Sequence, residues 1–235
     1  MFEASLRAFS FVIVSMALVL ATSSVALAVP VVVYDNTTIP TAGDWTPAGF
    51  WAFSQYWPYE PTGDQVTLAG ADRTITEFRL VLSSTEETTL SSLTLSFYEN
   101  DGLDAYLIPG VPGTPLWTTT CNNVLVNGPT TVVLSVPNVV VPDTFTWIAS
   151  ADSTVAGLAT YNPPTVGSSE DSFWDRDSFD GQWYPLFFFG DPVANFGAKV
   201  LAIPEPAMTG LLALGGLAVL RRGSGQVMRR RRRTV

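Results

Sequence analysis

Two acidic clusters hold the side chains best suited to chemistry in this 235-residue chain. Glu99-Asn100-Asp101-Gly102-Leu103-Asp104 sets three carboxylates and an amide within six residues. Hard oxygen ligands suit calcium, and Glu99, Asp101 and Asp104 are the candidate ligands. The same run reads as a hairpin turn, because Asn-Asp-Gly supplies the backbone conformations of a tight reversal. The turn is favoured, since the ligand spacing of an EF-hand loop is absent. The second cluster is Glu170, Asp171, Asp175, Asp177 and Asp180. Asp175 and Asp177 begin like a calcium loop, but Phe179 takes the third ligand position and Leu186 the closing one. That cluster reads as an acidic surface loop.

Histidine is absent from the chain. Ser-His-Asp and Cys-His catalysis and the usual histidine-based zinc and copper sites are thereby excluded. An enzyme would have to work with carboxylates, tyrosines or the few basic groups, and a paired-carboxylate hydrolase would need two acids facing across a cleft. Nothing singles out such a pair, so no catalytic residue is assigned and the chain reads as a non-enzyme without a cofactor, calcium aside. Aromatic residues crowd two stretches, Trp45–Tyr59 and Phe173–Phe189. Exposed rings there, Trp51 and Trp174 above all, could stack on sugars, whereas buried ones would simply fill a core.

Charge narrows the partners. Residues 29–203 carry nineteen acidic side chains against Arg73, Arg79, Arg176 and Lys199, a net −15. Such a segment repels phosphate backbones, so nucleic acid is excluded as a partner. Cys121 is the only cysteine, which rules out an intrachain disulfide and suggests a buried thiol.

The elements that must position these residues are strands. Leu93, Leu95 and Phe97 alternate with Thr94, Ser96 and Tyr98, and Val132, Leu134 and Val136 repeat the pattern, as do Phe145, Trp147 and Ala149. Period two with polar residues between describes half-buried antiparallel strands. Strands are expected near 31–34, 66–69, 74–83, 91–99, 115–120, 131–136, 144–150, 155–161, 182–189 and 195–202. Asn100-Asp101-Gly102, Pro109-Gly110, Asn127-Gly128-Pro129 and Asp180-Gly181 supply turns. The fold class expected is all-β: an antiparallel two-sheet sandwich, jelly-roll-like, flanked by an N-terminal signal helix and a C-terminal transmembrane helix.

Both ends read as targeting segments. Arg7, the apolar run Phe9–Leu20 and the small-x-small Ala26-Leu27-Ala28 make residues 1–28 a secretory signal peptide. At the other end Pro204-Glu205-Pro206 precedes Ala207–Leu220, fourteen residues without a charge, then Arg221-Arg222 and the block Arg229–Arg233. As a helix that run would be about 21 Å long at roughly 1.5 Å per residue, short of the ~30 Å hydrocarbon core. Local thinning and arginines reaching for headgroups would let it span, with the basic end in the cytoplasm.

The Pro-Glu-Pro triplet, short apolar helix and arginine stop resemble the PEP-CTERM sorting signal of exported bacterial proteins. The resemblance assigns Pro204, Glu205 and Pro206 as the recognition motif and Arg221 and Arg222 as the stop. It implies retention in the inner membrane, an exosortase-type membrane protease as partner, and delivery to the cell surface or its exopolysaccharide matrix. Ile203 stands where valine is commonest, and the extension Gly223–Met228 with its second arginine block departs from the usual ending. The middle also resembles a recurrent cargo domain of surface proteins with such tails, through Gly63–Gly70, Phe97–Gly102, Pro115-Leu116-Trp117, Phe145-Thr146-Trp147 and Asn195–Ala198. That resemblance implies a secreted β-sandwich of no assigned activity. The chain thus divides into a signal peptide (1–28), a β-sandwich domain (29–202), a sorting signal with its helix (203–222) and a basic cytoplasmic tail (223–235). The function expected is that of an exported envelope or matrix protein, with a carbohydrate- or calcium-binding surface module as the alternative and a carboxylate-dependent hydrolase as a weaker one.

Overall fold

The computed structural model describes residues 29–44, 46, 48–53, 60–103 and 109–204. Every regular element among them is a β-strand, and every strand pairing is antiparallel. The first six-stranded sheet is built on β4 (Thr74–Ser84). One edge of β4 pairs with β9 (Thr130–Val140). The other pairs first with β14 (Ala198–Ile203) and then with β11 (Ala156–Ala159). β1 (Val31–Asp35) flanks β14, and β2 (Phe50–Ala52) flanks β11. The second sheet runs in the order β13 (Trp183–Leu186), β12 (Ser168–Arg176), β3 (Thr62–Thr67), β10 (Thr144–Ala151), β5 (Thr88–Tyr98), β8 (Pro115–Val126). A small ladder of β6 (Gly102–Leu103) and β7 (Pro109–Val111) stands apart.

Alternation fixes which side chains meet between the sheets. Phe78, Leu80 and Leu82 of β4 are fully buried, as are Leu93, Leu95 and Phe97 of β5 and Phe145, Trp147 and Ala149 of β10. Rings join one sheet to the other: Phe78 lies 5.3 Å from Phe97 and 5.5 Å from Trp147, centroid to centroid. Burying rings of this size is worth on the order of 2–3 kcal/mol each. Ile75 and Phe78 face the same core although they lie three positions apart. The register of β4 against β9 slips between Ile75 and Glu77, and this bulge absorbs the odd residue.

Several expected boundaries move. β3 begins at Thr62 rather than 66, β14 begins at Ala198 rather than 195, and β2, β6, β7 and β12 were not foreseen. The stretch read as an acidic loop is largely β12, whose Glu170, Asp171 and Arg176 lie exposed beside an inward Phe173. Cys121 on β8 is half-buried, packed on the core rather than enclosed by it. The signal peptide 1–28, Glu205, Pro206, the run Ala207–Leu220, Arg221, Arg222 and the rest of the tail lie outside the described residues.

Candidate functional site

The first acidic cluster is a clamp on its own hairpin. After β5, the Glu99 amide donates to the Thr114 carbonyl and the Gly113 amide donates back to the Glu99 carbonyl. Asp101 then accepts from both the Thr114 amide and the Thr114 hydroxyl, each at 2.7 Å. Those bonds hold the Asp101 carboxyl below the usual carboxylate range. Asp104, the third candidate ligand, lies outside the described residues. Both oxygens of Asp101 are thus oriented toward Thr114, which gives this aspartate a structural duty of its own.

The second cluster is drawn apart by its strand. Asp177 caps the β12–β13 turn, accepting from the Phe179 amide at 2.6 Å and the Asp180 amide at 3.3 Å. Asp180 accepts from the Gln182 amide and the Tyr184 hydroxyl. Asp171 accepts from the Ala194 amide at 2.6 Å. Asp175 points inward to the Thr62 hydroxyl at 2.6 Å, and burial, then Asp177, pushes its pKa up. Glu60 is raised as well, by burial and by the charges of Asp175 and Asp177. No group of three or more Cys, Asp or Glu side chains among the described residues could hold a metal ion. A surface cleft lined by Pro40, Thr41, Ser83, Pro129 and Tyr161 has no acid among its described lining residues.

The two tryptophans expected as sugar platforms part company. Trp51 on β2 is half-buried, its ring 5.3 Å from both Phe173 and Phe188, so it is spent on core packing. Trp174 follows the inward Phe173 and faces the outer side of the second sheet, opposite Gly63 and Pro185. Elsewhere in that sheet Trp183 stacks edge-on with Tyr98 at 5.9 Å, under the Arg176 guanidinium at 5.6 Å.

One residue escaped the sequence reading as a site. Asp64 on β3 is completely buried, with Trp147 and Phe173 as its register partners on either side. One carboxyl oxygen accepts from the Phe196 amide at 3.5 Å, and the other has no partner; nor has the Trp147 indole N–H. Burial pushes the Asp64 carboxyl well above its usual range, against a smaller pull from the Phe196 and Gln65 amides. The same burial raises the Tyr34 phenol, and the Asp64 charge adds to it. The signal was the alternation Thr62, Asp64, Val66, Leu68, which places an aspartate at an inward position. No family model, no curated protein and no solved structure matches the chain.

A raised carboxyl pKa in the fold means that the folded state binds the proton more tightly than the unfolded chain. Stability is then fully present below the unfolded value of about 4 and falls as pH rises above it. Asp64→Asn, which mimics the protonated acid, should melt with the wild type at pH 4 and above it at pH 8. A difference of about 1 kcal/mol would appear as about 2–4 °C in a chain of this size. Equal melting temperatures for the two proteins at both pH values, followed by circular dichroism, would contradict the burial of this carboxyl.

Proposed function

We propose that this chain is an exported cell-envelope protein whose β domain is the cargo and whose C-terminal end is its address. One observation carries the reading. β14 is paired along its whole length, Ile203 with Thr74, and the chain enters Pro204-Glu205-Pro206 at the next residue. The described strands end at Ile203, and the proline, apolar and arginine pattern that follows in the sequence supports a sorting role. Export by the general secretory route would remove residues 1–28. The tail would hold the product in the inner membrane, and an exosortase-type protease acting near Glu205 would pass it to the surface or to an exopolysaccharide matrix. The orders β1-β14-β4-β9 and β3-β10-β5-β8 support a jelly-roll sandwich, to which β2, β11, β12 and β13 are added. Deleting Pro204–Val235 should move the protein from the membrane fraction to the periplasm or medium. Unchanged membrane retention on immunoblots of fractionated cells would contradict the reading.

A second reading has its own observation, the outward Trp174 and the Tyr98–Trp183–Arg176 stack on the second sheet. Rings on an open sheet face support binding of glycans at the cell surface. Residues 29–203 on a glycan array, with and without calcium, should then give a saturable signal that Trp174→Ala weakens several-fold. A folded sample that binds no glycan would leave the structural matrix component as the function.

A further inference from the structure

The two ends of the β domain leave it side by side. Val31 pairs with Ala202, Ile203 pairs with Thr74, and Thr74 pairs with Val140. The start of β1, the end of β14, the start of β4 and the end of β9 therefore share one end of the first sheet. The loops after β3 and β9 close that same end, through the Leu68 amide on the Asp143 carbonyl and the Val141 amide on the Arg73 carbonyl.

Each of these termini leads to an apolar run. From Ile203 to Ala207, where the uncharged segment begins, there are four peptide steps, at most about 14 Å when fully extended. The headgroup layer of one leaflet is roughly 6 Å thick, taken as half the difference between a whole bilayer and its hydrocarbon core. A chain inserted through Ala207–Leu220 cannot lift its β domain clear of the headgroups by more than about a side chain's length. On the N-terminal side three steps separate Val31 from Ala28, so before cleavage the signal peptide would tether the same end.

That end offers lipid a suitable surface. Val29 is 76% exposed and Val140 62%, with Val31 and Val32 also in the open. Arg73 is engaged there by Asp143 at 2.7 Å and by the carbonyls of Ala69, Gly70 and Asp72. The opposite end carries Glu86, Glu87 and Asp152, all exposed. The net −15 of the domain gives it no attraction of its own to an anionic bilayer, so contact depends on the short tether.

We propose that the end of the β domain formed by Val29–Val32, Ile203 and Val140 is its membrane-facing end, seated at the lipid headgroups by the three-residue tether Pro204-Glu205-Pro206. This rests on the membrane insertion of the tail proposed above. The test uses the full chain with Cys121→Ala, carrying a fluorophore on Val140→Cys or, at the opposite end, on Thr85→Cys. Each is reconstituted into phosphatidylethanolamine–phosphatidylglycerol vesicles containing a headgroup nitroxide lipid. The Val140 probe should be quenched several-fold more than the Thr85 probe. A Gly/Ser linker of about twenty residues placed after Ile203, a coil spanning on the order of 25 Å, should abolish the difference while the protein stays on the vesicles. Equal quenching of the two probes in vesicle-bound, unextended protein would overturn this inference alone. Failure of the chain to associate with the vesicles would overturn it together with the sorting reading.

Discussion

The insertion of β14 between β1 and β4 is the constraint on which the rest of the structure depends. A strand at the end of a chain could sit at a sheet edge, where its loss would cost little. β14 instead hydrogen-bonds on both sides, and its Ala198, Val200 and Ala202 side chains are fully buried. Its register on β1 is pinned at Asp35, whose carboxylate meets Lys199 at 2.7 Å across a paired position. Burial works against the Asp35 charge, but Lys199 and Thr37 outweigh it and leave the pKa below the usual range. The first sheet can close only when β14 arrives to pair with β1 and β4, a non-local step of the kind that slows folding.

The core answers a second constraint, the want of any disulfide. With Cys121 alone, the two sheets are held by packing, and Phe78, Phe97, Phe145, Trp147, Phe173 and Phe196 are among its largest fully buried side chains. Against that stands a polar cost in the same place. Asp64 and the Trp147 indole sit in this aromatic packing with one unpartnered atom each. A buried polar group without a partner costs roughly 1–3 kcal/mol, about what one ring contributes. The domain tolerates this because several rings surround it, and burial raises the carboxyl's pKa, which favours its neutral form.

How much of this was legible in the sequence depended on whether one face of a strand was uniform. β5, β9 and β10 alternate cleanly and were placed near their true positions. β4 was placed too, although its bulge hides behind the three-residue step from Ile75 to Phe78. β12 was not, because Glu170, Asp171, Asp175 and Arg176 gave it the look of a solvated loop, while only Phe173 marks its buried side. β2 is three residues long, too short for any period to show. The candidate sites followed the same logic. Asn-Asp-Gly, expected as a tight reversal, instead links β5 to β6 as pairing passes from Glu99–Thr114 to Gly102–Val111, and the bond of Asp101 to Thr114 depends on a residue thirteen positions away. Trp51 and Trp174 have the same side chain, and tertiary packing alone sent one to the core and left the other on the outer face. The terminal patterns of residues 1–28 and 204–235 are legible as linear runs in the sequence, and all but Pro204 lie outside the described residues.

In the described domain the first and last strands, β1 and β14, pair side by side, and β14 ends at the residue before Pro204. The central claim is that the first sheet needs β14 to be complete. Thermal unfolding of purified residues 29–203 beside residues 29–197 tests it most directly. The account predicts one cooperative transition for the longer protein and none for the shorter, whose first sheet would be left split between β1 and β4. A shorter protein that melts as cooperatively, and at the same temperature, would contradict it.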